Sequence, residues 1–328
     1  MKWTRWSPAW ISACAALFAG PAPASAQGYP SRTITFVMPF AAGGPGDTMA
    51  RVFAQSMSKA IGQQIIVENV GGAGGTTGVA RVAAATPDGY TVVLHHMGMA
   101  TAPAMYANLK YDALKDFAPI GMLVDNIMVF VARKDFPAKD FGEYLTHLKA
   151  NGEKLTWGHA GIGSSSHLCG VLLLNTIGAN IRHVSYRGSG PALNDLITGQ
   201  IDFMCDQPIN VISNAQAGNI KAYAVTASKS HPSMPSLPPV TQFSADKLVV
   251  TNWLAMYAPK RTPKEAIAKL SSALQAATDD ADVRKRMADL GIDVVSRDRA
   301  TPEYLGKFIA DATALWVPLL KNAGVVPQ

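Results

Sequence analysis

An α/β protein built as two lobes is the fold this sequence predicts, and three observations predict it. β-Branched apolar runs alternate with amphipathic stretches along most of the chain. In the N-terminal part, strand-like runs give way repeatedly to a loop of small residues and then to a helical pattern. Near residue 126 the same logic starts again without repeating the sequence, and roughly 300 residues is more than one hydrophobic core ordinarily organises. The expected lobes are 27–125 together with 226–328, and an inserted lobe at 126–225.

The first residues stand outside this pattern. Lys2 and Arg5 precede an apolar run from Ile11 to Gly20 that ends in "PAPASAQ". That is the form of a secretory signal peptide over 1–26, with Ala24-Ser25-Ala26 as the cleavage site and Gln27 as the new N-terminus. The apolar run is too short and too rich in Pro and Ala to span a bilayer, and too little apolar sequence precedes Cys14 for lipid anchoring there. A periplasmic location follows as the expectation.

"TITFVMPF" is β-branched and apolar and reads as a buried strand; "DTMARVFAQSMSKAIG" follows as an amphipathic helix closed by Gly62. "QQIIVENV" is the next strand, and "GGAGGTTGVARVAAA" is a glycine-rich loop running into a helix that stops before Pro87. The turn "TPDGY" opens the strand "TVVLHHM". After "YDALKDFAPIGMLVDNIMVFVARKD" comes a helix from Phe141 to Ala150, then the strand "LTWGHAG", the loop "IGSSSH" and the apolar helix "LCGVLLLNTIG". "IRHVSYRGSGPALNDLITG" leads to the strand "IDFMCDQ", the helix "NVISNAQAG" and the strand "IKAYAVTAS". The Pro-rich "SHPSMPSLPPV" reads as a surface connection. Beyond it, "NWLAMYAP" is a strand, and three helices opened by Thr-Pro or Asp signals complete the chain and are expected to pack on the first lobe.

Charge and cysteine content narrow the function. Losing Lys2 and Arg5 with the leader leaves 27 basic against 23 acidic residues, a net charge of +4. That mild excess suits a small anionic ligand, while the absence of any Lys/Arg run argues against nucleic acid. Cys169 and Cys205 survive processing; an oxidising compartment allows a disulfide between them, and two separate buried thiols acting as small hydrophobes fit equally. His167 lies two residues from Cys169, but no second ligand cluster has zinc-like spacing, so neither a metal nor a cofactor is expected.

Glycine-rich strand-to-helix loops leave backbone N–H groups uncovered at a helix N-terminus, where the dipole favours negative charge. "GGPGDT" and "GGAGGTTG" do not complete the dinucleotide fingerprint, and no P-loop occurs. "GIGSSSHLCG" lacks the nucleophile elbow of hydrolases, and "SMSK" lacks the motifs that accompany S-x-x-K in acyl-serine enzymes. Ser164, Ser165 and Ser166 therefore read as hydroxyls that hydrogen-bond an anion without attacking it. His95, His96 and His159 each end an apolar strand near a loop mouth, where ligand contact and local backbone satisfaction are both open; His95 and His159 are kept as ligand contacts. Asp47 sits in the first turn of its helix, where a structural role and a ligand role are both open. Asp206 follows a strand expected to end at the interlobe cleft, where a carboxylate can accept from a ligand hydroxyl, amine or water.

Taken together, "YPSRTITFVMPFAAGGPGDTMAR", "VENVGGAGGTTGVARVAAATPDGYTVVL", "YDALKDFAPIGML", "AGIGSSSHLCG", "VSYRGSGPALNDLITGQIDFMCDQ" and "IKAYAVTASKSHPSMPSLPPV" resemble, in order, the Bug-family extracytoplasmic solute receptors of tripartite tricarboxylate transporters. The resemblance implies a type II periplasmic-binding-protein fold, two α/β lobes joined by a hinge with the ligand cleft between them. It implies a small organic anion, a di- or tricarboxylate or an aromatic carboxylate, captured by lobe closure and delivered by a monomer to membrane permease subunits. A sensory receptor of the same fold and, more remotely, a secreted serine hydrolase are the competing functions. Carried over by position, the ligand carboxylate is held by Phe40, Ala41, Ala42, Gly43 and Gly44 on one side and by Gly161, Ser164, Ser165 and Ser166 on the other. Gly74, Thr76 and Asp206 line the cleft by the same resemblance. Where many such receptors have small residues after the third strand, this chain has "LHHMGM", so ligand identity transfers least.

Overall fold

The computed structural model describes residues 1–3, 28–232, 234–322 and 325–327. The expected leader, beyond position 3, and its expected cleavage site, Ala24-Ser25-Ala26, lie outside the described residues.

The chain opens with β1 (Ile34–Met38), α1 (Pro45–Ile61), β2 (Ile65–Asn69), α2 (Thr76–Ala83), β3 (Thr91–His96) and α3 (Gly98–Met105). The long β4 (Phe117–Ile127) runs through Met128 into β5 (Val129–Arg133), followed by α4 (Phe141–Asn151), β6 (Thr156–His159), α5 (Ser165–Ile177), β7 (Arg182–Ser185), α6 (Ser189–Thr198), β8 (Phe203–Asp206), α7 (Pro208–Gln216) and β9 (Ile220–Val225). After a connection at 226–250 come β10 (Thr251–Pro259), α8 (Lys264–Asp279), α9 (Ala281–Asp289) and α10 (Pro302–Asn322).

These strands form two five-stranded sheets, β2-β1-β3-β10-β4 and β7-β6-β8-β5-β9. In each, four strands share one direction and one runs against them: β1 pairs in parallel with β2 and β3 while β10 runs against both β3 and β4, and β6 pairs in parallel with β7 and β8 while β5 runs against both β8 and β9. Two sheets of matching order, each flanked by helices, are the predicted two-lobed α/β architecture.

Strand composition follows from burial on both faces. Along β5, Val129 and Val131 face one apolar cluster with Leu196 and Val211, while Phe130 and Ala132 face the other with Phe141 and Tyr144, as the two-residue period of a strand requires. α1 turns Met49, Phe53 and Met57 inward and ends on Gly62 in the left-handed conformation, the C-cap that glycine adopts at low steric cost. Cys169 of α5 and Cys205 of β8 are joined by a disulfide, which ties the helix to a strand inside its sheet.

Three features depart from the sequence reading. α3, "GMATAPAM", is buried at Met99, Ala100, Thr101, Ala102, Ala104 and Met105, and a helix apolar all round carries no amphipathic signature. α5 begins at Ser165, so Ser165, Ser166 and His167 belong to its first turn and the preceding loop is shorter than "IGSSSH". The Pro-rich connection is not only surface: Met234 and Val240 are buried, and Phe243 packs edge-on against Phe141 of α4, so 240–248 lies against the second sheet's helices.

Two crossings join the sheets, one at Met128 and one at 226–250. They lie side by side, with the Thr226 N–H donating to Met128 O at 2.9 Å and the Val250 N–H to Thr226 O at 3.1 Å. The Thr226 hydroxyl accepts from Met128 N–H at 2.8 Å and donates to Val250 O at 2.6 Å. One fully buried side chain, Thr226, thus fastens both crossings.

Candidate functional site

A cavity of about 760 Å³ opens between the sheets. It lies beyond the carboxyl ends of β1, β2, β3, β6, β7 and β8, where open α/β sheets present their loops. The loops after β1, β2, β6, β7 and β8 lead into helices whose N-cap residues all line the cavity: Gly44 of α1, Gly75 of α2, Ser164 of α5, Gly188 of α6 and Gln207 of α7. Four of them, Gly44, Gly75, Gly188 and Gln207, make no side-chain cap; of the helices that start elsewhere, α4 and α9 are capped by Asp140 and Asp280, and α3 and α8 are not. The uncapped turns leave backbone N–H groups facing the cavity with the positive ends of their helix dipoles behind them.

The first loop, Phe40 to Gly44, is braced from behind. Asp47 Oδ2 accepts from Gly43 N–H at 2.9 Å and from Arg51 Nε at 3.0 Å, and Oδ1 accepts from Asn69 Nδ2 at 3.0 Å. Asn69 Nδ2 also reaches Phe40 O at 3.0 Å. Burial pushes the Asp47 carboxyl up, but the hydrogen bonds from Arg51, Gly43 and Asn69 outweigh it and hold it below the usual carboxylate range. Asp47 therefore shapes the loop, although its side chain borders the cavity. Gly43 has φ +80°, the left-handed region that a Cβ disfavours.

In the loop after β6, Ser166 Oγ accepts from Ala160 N–H at 2.8 Å and Ser164 Oγ accepts from His167 N–H at 3.2 Å. These two hydroxyls are 3.1 Å apart, so one of their two protons serves the pair and the other remains to donate elsewhere. Ser165 Oγ donates to Asn252 Oδ1 of β10 at 2.5 Å, and Tyr106 Oη donates to Ile162 O at 3.0 Å. Both contacts link elements of one sheet to elements of the other. A Cβ on Gly74, which has φ +61°, would overlap Tyr106 Oη and Ile162 O, so glycine permits this close approach.

Of the residues expected from sequence, Phe40 to Gly44, Asp47, Gly74, Gly161, Ser164 to Ser166 and Asp206 all line the one cavity. Thr76, His95 and His159 do not. Thr76 turns its hydroxyl back to Ala73 O at 2.9 Å. Successive residues of β3 face opposite ways: His95 is buried behind the wall, and it is His96, stacked on Phe40 at 4.8 Å, that faces the cavity. His96 Nδ1 accepts from Gly98 N–H at 2.8 Å, and burial lowers its pKa to about 3, so the ring is neutral with its proton on Nε2. His159 is fully buried; its Nδ1 accepts from Gly161 N–H at 3.2 Å, and its Nε2 lies 2.9 Å from His183 Nδ1. It supports the loop rather than the ligand space.

Sequence reasoning weighed His96 without keeping it as a contact, and missed Arg187, Ser189, Gln207, Asn210 and Asn252. The "YRGSGP" loop carries the same signal as the others, small residues between a strand and a helix, and could have been found by it. Asn252 lies within an apolar strand, where no local pattern marks it.

The family model for the tripartite tricarboxylate transporter family receptor matches residues 49–325. The chain belongs to that receptor family. A UPF0065 protein of Agrobacterium vitis, named for the TAR-I ttuE-ttuC' intergenic region, is 45% identical over 297 residues, 90% of this chain and 86% of the relative. The structure of the periplasmic binding protein BugD superposes with a TM-score of 0.86 at 43% identity, covering 92% of this chain and 100% of BugD. MatC from Rhodopseudomonas palustris, solved with bound malate, superposes with a TM-score of 0.84 at 38% identity, covering 89% of this chain and 100% of MatC. The receptor thus has the periplasmic-binding-protein fold, and its family is one of solute receptors rather than enzymes. No helix among the described residues is long and apolar enough to cross a membrane.

Proposed function

We propose that this receptor captures a small organic carboxylate in its interlobe cavity by closure and delivers it to the membrane permease subunits of a tripartite transporter, without chemical turnover. The observation that carries the reading is the convergence of five helix N-termini, four without side-chain caps, on one cavity. Each such terminus favours an anion by about 0.3–1 kcal/mol in exposed settings and more when desolvated. MatC, at 38% identity, was solved with malate, which supports the same ligand class here.

Closure has the means to be driven by the ligand. Moving a two-state equilibrium from 1:99 to 99:1 takes about 5.5 kcal/mol of differential affinity. Charge-assisted hydrogen bonds contribute roughly 1.5–3 kcal/mol each, so a few made only when both lobes contact the ligand are sufficient. We take the crossing at Met128, Thr226 and Val250 as the hinge, residues 1–26 as the cleaved leader, and the working form as a periplasmic monomer. A thermal-shift screen of the mature protein against mono-, di- and tricarboxylic acids tests the ligand class. At least one acid should raise the midpoint; a flat response across the panel contradicts the reading.

A further inference from the structure

Beyond the carboxylate clamp, one wall of the same cavity holds polar atoms that the fold itself leaves unpaired. Asp206, at the end of β8, is 1% exposed and borders the cavity. Its Oδ1 accepts from Gln207 N–H at 2.8 Å, but its Oδ2 has no hydrogen-bond partner among the described residues. One residue on, Gln207 is 9% exposed and its Oε1 is equally unpartnered. Asn210, one turn into α7, also borders the cavity with its Nδ2 unpaired. Among the described residues no cationic side chain pairs with Asp206, although Arg187 lines the same cavity.

Leaving a buried acceptor unsatisfied costs about 1–3 kcal/mol, and more for a charged group. Native proteins rarely keep such groups without a use. Burial pushes the Asp206 carboxyl up to about 6, against the lowering pull of Gln207 N–H and the nearby Ser189 and Asn210 side chains; the group is held out of water at real expense. Two unpaired acceptor oxygens, one of them a carboxylate, on residues that border the cavity give the start of α7 a donor-seeking character, opposite to that of the N-termini of α1, α2 and α5.

We propose that Asp206 Oδ2 and Gln207 Oε1 form a second recognition point, selecting organic acids that carry a hydrogen-bond donor, a hydroxyl or an ammonium group, over the same carbon skeleton without one. The inference rests on the carboxylate reading above and adds the ligand's substituent to it. The acid's carboxylate takes the helix N-termini, and its donor takes Asp206 and Gln207. A plain acid of the same skeleton leaves both oxygens unpaired and binds more weakly.

The test is calorimetric titration of the mature protein with matched sets: propionate, lactate and alanine; succinate, malate and aspartate; glutarate, 2-hydroxyglutarate and glutamate; phenylacetate, mandelate and phenylglycine. In the skeleton that binds best, the hydroxy or amino acid should bind at least tenfold more tightly than its unsubstituted parent. Comparison of the two substituted forms identifies which donor is used. In Asp206→Ala, and independently in Gln207→Ala, the ratio of the substituted acid's affinity to its parent's should shrink towards unity, whatever the change in the parent's own affinity. Equal wild-type affinity for parent and substituted acids overturns the proposal. So does a variant that is folded by circular dichroism and loses both ligands equally. Binding of none of the sets overturns the carboxylate reading itself, which keeps the two failures apart.

Discussion

At the scale of single residues, the site is organised by side chains that never need to touch a ligand. Asp47 spends its acceptor capacity on Gly43, Arg51 and Asn69, and Asn69 ties Phe40 to the same node. Removing Asn69 by Asn69→Ala should therefore weaken ligand binding about tenfold while costing roughly 1–2 kcal/mol of stability. Titration calorimetry beside chemical denaturation separates the two effects, and unchanged affinity would falsify the bracing role. Asp47, with its pKa lowered, contributes stability that is present above the unfolded carboxylate value and is lost as pH falls through its lower folded value. Asp206 has the opposite sign. Its pKa is raised to about 6, so the folded state holds a proton that the unfolded chain has released between its ordinary value of 3.8 and that value, and stability falls as pH rises through the window. In the ligand-free protein, Asp206→Asn should raise the melting temperature at pH 7.5 by several degrees, and the gain should fade towards pH 4. A melting temperature unchanged or lowered at pH 7.5 would remove the penalty inferred for this carboxylate.

At the scale of elements, helix starts hold the ligand space and strand ends aim them. The disulfide between Cys169 and Cys205 anchors α5, whose first turn carries Ser165 and Ser166. Cross-linking over a sequence separation of 36 residues constrains the unfolded chain by about 3–4 kcal/mol. Full reduction should lower stability by up to that amount, measured by denaturation with and without reductant; an identical midpoint would show the bond to be energetically idle. The glycine-rich loops were legible in the sequence because small residues between an apolar run and an amphipathic one have few other uses. Whether a histidine at a strand end faces the loop or the core was not legible, since one residue of register exchanges His95 for His96. α3 escaped notice for a related reason: burial all round erases the 3.6-residue period by which a helix is recognised.

At the scale of the whole molecule, matching sheet orders set two groups of helix N-termini around one cavity, and two crossings, at Met128 and 226–250, join the sheets; the proposed closure has these crossings as its hinge. Thr226 binds both crossings through one hydroxyl. Thr226→Val leaves the Met128 N–H and the Val250 carbonyl without that partner in a buried site, which should cost about 1–3 kcal/mol of stability. Tyr106→Phe removes a single interlobe hydrogen bond to Ile162. It should weaken ligand binding several-fold, on the order of 1 kcal/mol, with little change in the stability of the ligand-free protein. Small-angle scattering should show a larger radius of gyration without ligand for this variant than for the wild type; equal radii would mean the contact does not bias closure.

The central claim is that five helix N-termini recognise the negative charge of an organic acid. Titration calorimetry of the mature protein against its tightest-binding acid and that acid's uncharged methyl ester tests it most directly. The account predicts one site per chain for the acid and at least a hundredfold loss for the ester, about 2.8 kcal/mol at tenfold per 1.4 kcal/mol. An ester that binds as tightly as the acid would contradict it.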